Sequence, residues 1–587
     1  MTYNWNIRRL TAQEEALQQQ LERELNISSA AARMLVVRDI QSAEEARQFI
    51  RPSLDKLHDP FLMKDMDKAV ERLHQAITQG EKILIYGDYD VDGTTAVALM
   101  YRFLQNLASN LSPLTFNLDY YIPDRYTEGY GVSTQGIDYA AAQGCSLIIT
   151  LDCGIKAVEK VAYANSKGID VIVCDHHTPS EELPAAVAVL NMKREDCPYP
   201  YKDLSGCGVG FKLAQGYTQR YLASSLSPDS LIALLPLTQL LARSIASDIV
   251  PITGENRILA HFGIQQLNKA PFTGLSAIMQ VAGIETKKIT INELVYKIGP
   301  RINACGRMKS GRAAVELLLT DDPQFARQQA EEVNQHNEDR RDCDTETTKE
   351  ALQQLLDDPT FAQRRSTVVY SPNWHKGVVG IVASRLTETY YRPTIVLTAG
   401  EDGIISGSAR SVGGFDIYAA IDSCSDLLTN FGGHKYAAGL SMHIDDLPEF
   451  KQRFETYVAA HIREEQLQPT LLVEAELDLA DITPAFYNVI RYLEPFGPGN
   501  PRPLFVSRNL INHRDTRVVG KTSEHLRLDV TDRAYAITGI AFGRADMAQH
   551  IQNGNAVDIC YELDENTFNN RTTIQMMVQD IKPCSTN

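Results

Sequence analysis

Paired cysteines, long apolar runs and tryptophan are scarce in this chain of 587 residues. Its 10 cysteines form no CxxC pair and follow no regular spacing, in a chain too long to need disulfide staples. A stapled secreted scaffold is thereby excluded, and reduced thiols are expected. The longest apolar candidate, around Leu231–Ala242, is short and broken by Pro236, well under the roughly 20 residues of a membrane span. The N-terminus, MTYNWNIRRLTAQEEALQQQ, lacks a signal-peptide core, so a cytoplasmic protein is expected. Basic charge is also short: the net charge is −17, and any nucleic-acid site must be a local basic surface on an acidic body. What is present is ordinary globular composition, 44% apolar and 22% charged, in a length that suits about four domains at ~150 residues each.

Short apolar runs alternate with helical patterns from Glu81 to Leu190 (KILIY, LDYYI, SLIITL and VIVC between amphipathic stretches), which predicts βαβ units and a parallel sheet. Between about 200 and 320 the periodicity is helical. FARQQAEEVNQHNEDRRDCDTETTKEALQQLLDD, charged nearly all round and free of Gly and Pro, predicts a long exposed helix separating two lobes. A second α/β segment follows, with strands STVVY, PTIVLT and GLSMHI, and short strands beyond Pro469 suggest a small all-β module. The expected domains are a helical extension over 1–50, a catalytic domain over 51–250, a helical connector over 251–365, a smaller α/β domain over 366–465 and the β module over 470–587.

The densest chemistry lies in YGDYDVDGTTA. Asp88, Asp90 and Asp92 follow strand Lys82–Tyr86 at every second position, ahead of Gly93 and a helix start capped by Thr94 or Thr95. Carboxylates this close repel one another unless a divalent cation compensates them. A solvated acidic turn is the bland rival. A calcium loop would need a Glu at its twelfth position between two helices, and here a strand enters. SLIITL runs into Asp152 and VIVC into Asp175-His176-His177, and the C-terminal ends of parallel strands line one crevice, so these groups should converge. Mixed carboxylate and imidazole donors favour Mn²⁺, Mg²⁺, Fe²⁺ or Co²⁺ over a thiolate zinc site, with Cys153 and Cys174 as packing residues.

DYDVDG, the Asp152 strand end and the Asp-His-His triplet resemble the DHH phosphoesterases, and the order of the later motifs resembles that family's exonucleases specific for single-stranded DNA. The resemblance implies a two-lobed α/β core, a DHH domain plus a smaller DHHA1 domain facing it across a cleft, with a C-terminal OB-like module. It also implies two Mn²⁺ or Mg²⁺ ions held by Asp88, Asp90, Asp92, Asp152, His176 and Asp248, with Asp175 and His177 as catalytic groups. YIPDRYTEGYG supplies Arg125, PRINACGRM supplies Arg301 and Asn303, SGSARS supplies Ser408 and Arg410, and GGHKYAAG supplies Gly432, Gly433 and His434 as substrate-binding residues. The last motif is expected at a loop-to-helix turn whose N–H groups face phosphate oxygens. Implied partners are single-stranded DNA, a single-stranded-DNA-binding protein and a helicase, around a monomeric enzyme without membrane contact.

In the β module Arg491, Arg502, Arg508, Arg514, Arg517, Lys521 and Arg527 outnumber nearby acids, and Tyr492, Phe496, Phe505 and His513 lie among them. A cationic groove with stacking aromatics suits a single strand; a mixed-charge β surface is the plainer reading. Two rivals to a 5′-to-3′ exonuclease of DNA repair and recombination remain. A phosphohydrolase of small substrates would need neither spacer helix nor basic tail, and a non-catalytic DNA-binding relative would show broken Asp or His positions.

Overall fold

The computed structural model describes residues 3–110, 117–125, 127–222, 230–284, 289–308, 311–568 and 571–584, and these form two compact units. One comprises residues 47–338 with Tyr492–Arg502; the other comprises the N-terminal 46 residues, Asp339–Arg491 and Pro503 onward.

The first unit is built on five parallel strands in the spatial order Asn117–Tyr121, Lys82–Gly87, Leu147–Leu151, Asp170–Cys174, Ala188–Leu190. Chain order reverses on either side of Lys82–Gly87, so a topological switch point opens beside its C-terminal end. Leu147–Leu151 is buried throughout, as a strand covered on both faces must be. Helix Val91–Asn110 follows the first strand, and its cap is Asp90, not Thr94 or Thr95: Gly93 N–H donates to Asp90 Oδ1 at 3.0 Å. The two threonines lie one turn inside, where their hydroxyls donate back to the carbonyls of Asp90 and Val91.

Helix Gly206–Tyr217 is buried along its whole length, Lys212 included. The Lys212 ammonium donates to Glu255 Oε1 (2.8 Å), Gln215 Oε1 (2.7 Å) and the His58 carbonyl (2.9 Å), which uses all three of its protons. Glu255 also accepts from Tyr199 O–H and His58 N–H. Burial pulls the Lys212 pKa down, and the Glu255 carboxylate opposes that pull. Segment Tyr492–Arg502 straps onto this unit: Arg257 donates to the carbonyls of Tyr492, Leu493 and Glu494, and Ile252 N–H meets Pro498 O.

The long helix runs Pro323–Leu356 but is not solvated all round. Ala326, Ala330 and Val333 enter the core of the first unit, and Ala351 and Leu355 enter a core of the second. In the second unit, five strands are ordered Asn430–His434, Ala437–His443, Ile404–Arg410, Thr394–Ala399, Thr367–Ser371. The β tail closes on itself, because Phe505–Asn512 pairs with both Val557–Phe568 and His525–Thr531 while Arg571–Pro583 and Ala536–Ala541 complete the ring. The first fifty residues are more than a helical piece. Strand Asn4–Ile7 pairs in parallel with Thr470–Val473, Trp5 Nε1 donates to Asp580, and Arg38 grips buried Glu474 at 2.9 and 3.0 Å. No helix among the described residues is long and apolar enough to cross a membrane.

Removing one member of the Lys212–Glu255 pair leaves the other charge buried and uncompensated. Lys212→Met or Glu255→Gln is therefore expected to cost about 3–5 kcal/mol in denaturant unfolding, and the double substitution less than the sum; additive losses would contradict the coupling.

Candidate metal centre

Three strand ends deliver the acidic groups to the switch point. Asp88 and Asp90 follow strand Lys82–Gly87, Asp92 sits in the first turn of the next helix, Asp152 ends Leu147–Leu151, and Asp175, His176 and His177 end Asp170–Cys174. Asp248 arrives from elsewhere, as the C-cap of helix Thr238–Ser247. His176 Nε2 lies 3.2 Å from Asp152 Oδ1, 3.6 Å from Asp248 Oδ2 and 3.9 Å from Asp92 Oδ2. The convergence read from the sequence is present.

Backbone amides hold several of these groups. Asp92 accepts from Gly206 N–H (2.7 Å) and Cys207 N–H (2.8 Å), the first amides of the buried helix, and from Ser244 O–H (2.7 Å). That approach requires glycine: a Cβ at Gly206 would stand 2.5 Å from Asp152 Cβ. Asp152 itself adopts φ 60°, and its carbonyl accepts from Tyr130 O–H at 2.9 Å. Asp175 accepts from the N–H groups of Ile155, His176 and His177 and from His177 Nδ1 at 2.8 Å, so both its oxygens are occupied and its place is to orient His177. Gly206, Ser244 and Tyr130 were not singled out from the sequence. Only the N-cap serine and glycine run of SGCGVG hinted at the first of them.

The electrostatics are those of crowded anions. Burial, then the neighbouring Asp90, raises Asp88 to about 7; burial, then Asp92, raises Asp248 to about 9. Asp90 and Asp152 are raised for the same two reasons. Burial lowers His176 and keeps it neutral. Burial also pulls His177 down, but its hydrogen bond to Asp175 overrides this and holds it above the ordinary imidazole value.

The donors fit divalent ions. His176 Nδ1 is 3.2 Å from the Leu204 carbonyl, which makes Nδ1 the protonated nitrogen and leaves the Nε2 lone pair facing Asp152 Oδ1 with no hydrogen bond on either atom. Both oxygens of Asp88 are buried without a side-chain hydrogen bond, with the backbone N–H groups of Tyr89 and Gly131 alone lowering its pKa from the main chain. Two groupings, Asp152–His176–His177 and Asp92–His176–Asp248, each place their donor atoms within 4.8 Å of one another and share His176. Lone pairs facing lone pairs in a buried pocket call for a cation between them.

The remaining expected residues divide between the units. Arg125 lies over the Tyr89 ring at 5.1 Å, and its charge lowers Asp88. Arg301 and Asn303 are half-buried on helix Gly299–Met308, whose first residue abuts Ser247; Arg301 donates to Asn334 at 2.9 Å. In the second unit GGHKYAAG is a β-hairpin, Asn430–His434 paired with Ala437–His443, and not a loop-to-helix turn. Its alternating small residues suit a strand pair, and the ladder consumes amides expected to face phosphate. Register places His434, Ala437 and Arg410 in one row and Gly432, Gly439 and Ser408 two rows on, so both rows share a sheet face. Gly432 has open space where a side chain would be, and a Cβ at Gly380 would stand 3.2 Å from both Arg410 Nη2 and Ser408 Oγ.

The basic tail is less cationic than its sequence suggests. Arg508 pairs with Glu476 and Asp558, and Arg517 and Arg527 share Asp515. Phe505 is a core residue against Phe486 and Tyr561, while Tyr535 and Phe542 are exposed rings among the barrel's described residues.

A doubly wound sheet with carboxylates and an imidazole crowded at its switch point defines a metal-dependent phosphoesterase. Family models match as the DHH family N-terminal domain over residues 82–237, the DHHA1 domain over 364–460 and the RecJ OB domain over 473–580. The single-stranded-DNA-specific exonuclease RecJ of Bacillus subtilis is 35% identical over 95% of this chain and 69% of its own. That of Escherichia coli is 33% identical over 94% of this chain and 95% of its own. The crystal structure of Thermus thermophilus RecJ in complex with Mn²⁺ superposes with a TM-score of 0.82 at 27% identity, covering 99% of this chain and 79% of that one. The chain belongs to the RecJ family of single-stranded-DNA-specific exonucleases.

Raised carboxyl pKa values mean that the folded metal-free protein binds more protons than the unfolded chain between about pH 4 and 9. Stability contributed by those protons is complete below the unfolded pKa and is lost as pH rises through about 7 for Asp88 and about 9 for Asp248. Thermal midpoints in chelator should fall from pH 6 to 9, and saturating Mn²⁺ should flatten that slope. A metal-free midpoint that rises across this window would contradict the arrangement.

Proposed function

We propose that this chain hydrolyses single-stranded DNA from the 5′ end to mononucleotides, using two Mn²⁺ or Mg²⁺ ions, in DNA repair and recombination. The observation that carries the reading is the meeting of His176 Nε2 with carboxylate oxygens of Asp152, Asp248 and Asp92, with His176 Nε2 and Asp152 Oδ1 buried and without hydrogen bonds. Asp88, Asp90, Asp92, Asp152, His176 and Asp248 would hold the ions. Bound there, the ions supply a water of lowered pKa and offset the charge of the phosphodiester.

The chain's own groups do the rest. Asp175 fixes His177 through Nδ1 and keeps the ring protonated more readily than a free imidazole, so His177 can donate to a phosphate oxygen or a departing oxygen. Tyr130 links the two strand ends, donating to the Asp152 carbonyl and lying 3.2 Å from His177 Nε2. Arg125 offers its planar fork to a neighbouring phosphate, Arg301 and Asn303 being further candidates beside the cluster. In the second unit Ser408, Arg410 and His434 share a sheet face with Gly432, where a side chain would meet open space, so a phosphate could reach the backbone there; burial lowers the Arg410 pKa without discharging it, which favours an anionic occupant. A monomer working with a single-stranded-DNA-binding protein and a helicase completes the reading.

Digestion of 5′-labelled and 3′-labelled single strands and of blunt duplex in Mn²⁺ tests it. Expected are label released first from the 5′-marked strand, mononucleotide products and little attack on duplex. Asp152→Asn should lower kcat by at least about 10³ with DNA binding retained. Arg410→Ala should raise KM about tenfold. Release from the 3′ end first, or preference for short oligonucleotides over long strands, would count against the proposal.

A further inference from the structure

Ile249 follows Asp248 directly and occupies the C′ position after helix Thr238–Ser247 with φ 58°. Glycine is the usual residue there, with asparagine next, because a β-branched side chain in the left-handed region collides with its own backbone. Burial does not repay this conformation: the side chain is 69% exposed and is absent from the core beside it, whereas the next residue, Val250, packs against that core.

The backbone is held in this state from both sides. Asp248 N–H donates to Ser244 O, the Pro251 carbonyl accepts from Tyr201 O–H (3.2 Å) and Asn256 Nδ2 (3.0 Å), and Ile252 N–H donates to Pro498 O (2.6 Å). A strained residue persists where its surroundings over-determine it, and such residues gather at functional sites. Here the neighbour is a carboxylate whose Oδ2 lies 3.6 Å from His176 Nε2, and adjacent Cα atoms stand 3.8 Å apart, so the Ile249 backbone is one residue removed from the cluster. A stiff, branched apolar group held out to water beside a phosphodiester site suits the flat face of a nucleobase, which every base presents irrespective of sequence.

We infer that Ile249 is a substrate-positioning residue that packs against the base of the nucleotide being cleaved and thereby sets the register of the strand over the cluster. The inference rests on the reading of the chain as a single-strand nuclease. It predicts that this contact discriminates a strand with bases at its end from one lacking them.

The test compares wild type, Ile249→Gly and Ile249→Asn on a normal single strand and on a strand whose first two residues are abasic, in Mn²⁺. Both substitutions suit the left-handed backbone, so thermal midpoints should not fall. On the normal strand KM should rise about tenfold for Ile249→Gly, with kcat changed less than about twofold. Wild type should prefer the normal strand over the abasic one by a similar factor, and the glycine variant should lose that preference. An unchanged KM, or a preference retained in full by Ile249→Gly, would overturn the assignment while leaving the nuclease reading intact. Failure of wild type to degrade the normal strand would overturn both.

Discussion

Crowding of buried like charges is the constraint on which this architecture rests. Two unit charges 4 Å apart repel by roughly 4 kcal/mol at an effective dielectric of 20, and several such pairs meet at the switch point. Arg125 near Asp88 and Lys193 near Asp248 offset only part of this, and both carboxyls stay raised. The fold holds the carboxylates with backbone dipoles, those at the start of the buried helix on Asp92 and those of the Ile155–His177 neighbourhood on Asp175. Amide dipoles position an anion without cancelling its charge, so the pocket stays negative and receptive to divalent ions.

The less obvious features of the first unit follow from this. Helix Gly206–Tyr217 must be buried to aim its amides at Asp92, so Lys212 is carried inside and needs Glu255. Gly206 must lack a side chain because Asp152 stands where a Cβ would be, and Gly93 because the Asp88 backbone does. Asp152 tolerates a left-handed backbone better than most residues, which turns its carboxylate back over the sheet edge. Each looks like a local irregularity alone, and each traces to the same anionic centre.

Much of this was legible in the residues. The parallel sheet and the long helix were readable because each has a periodic signal, and the strand-end rule supplied the convergence of Asp92, Asp152 and His176, whereas Asp248 entered only through the family resemblance. What was not legible was three-dimensional pairing. Arg508 has its partners Glu476 and Asp558 far off in sequence, and Asp515, already counted among the nearby acids, takes two arginines, Arg517 and Arg527, at once. Phe505 counted as a stacking ring, yet its strand turns it into the barrel core. GGHKYAAG resembles a phosphate turn because glycine signals both turns and flat strand pairs, and local sequence does not choose between them. The N-terminal strand was hidden because four residues carry too little pattern, and its partner lies more than 460 residues away.

These pairings change how selectivity must arise. With three of the tail's arginines neutralised by carboxylates and a net charge of −17, non-specific attraction to phosphate is weak over most of the surface. On the proposed reading a strand would be held where anions are specifically welcome, at the carboxylate cluster once divalent ions occupy it and at Arg410, and by apolar contact with unstacked bases. Base pairing hides those faces in a duplex. Discrimination between single and double strands then needs no reading of sequence, since it follows from an acidic protein that rewards only exposed bases and a few phosphates.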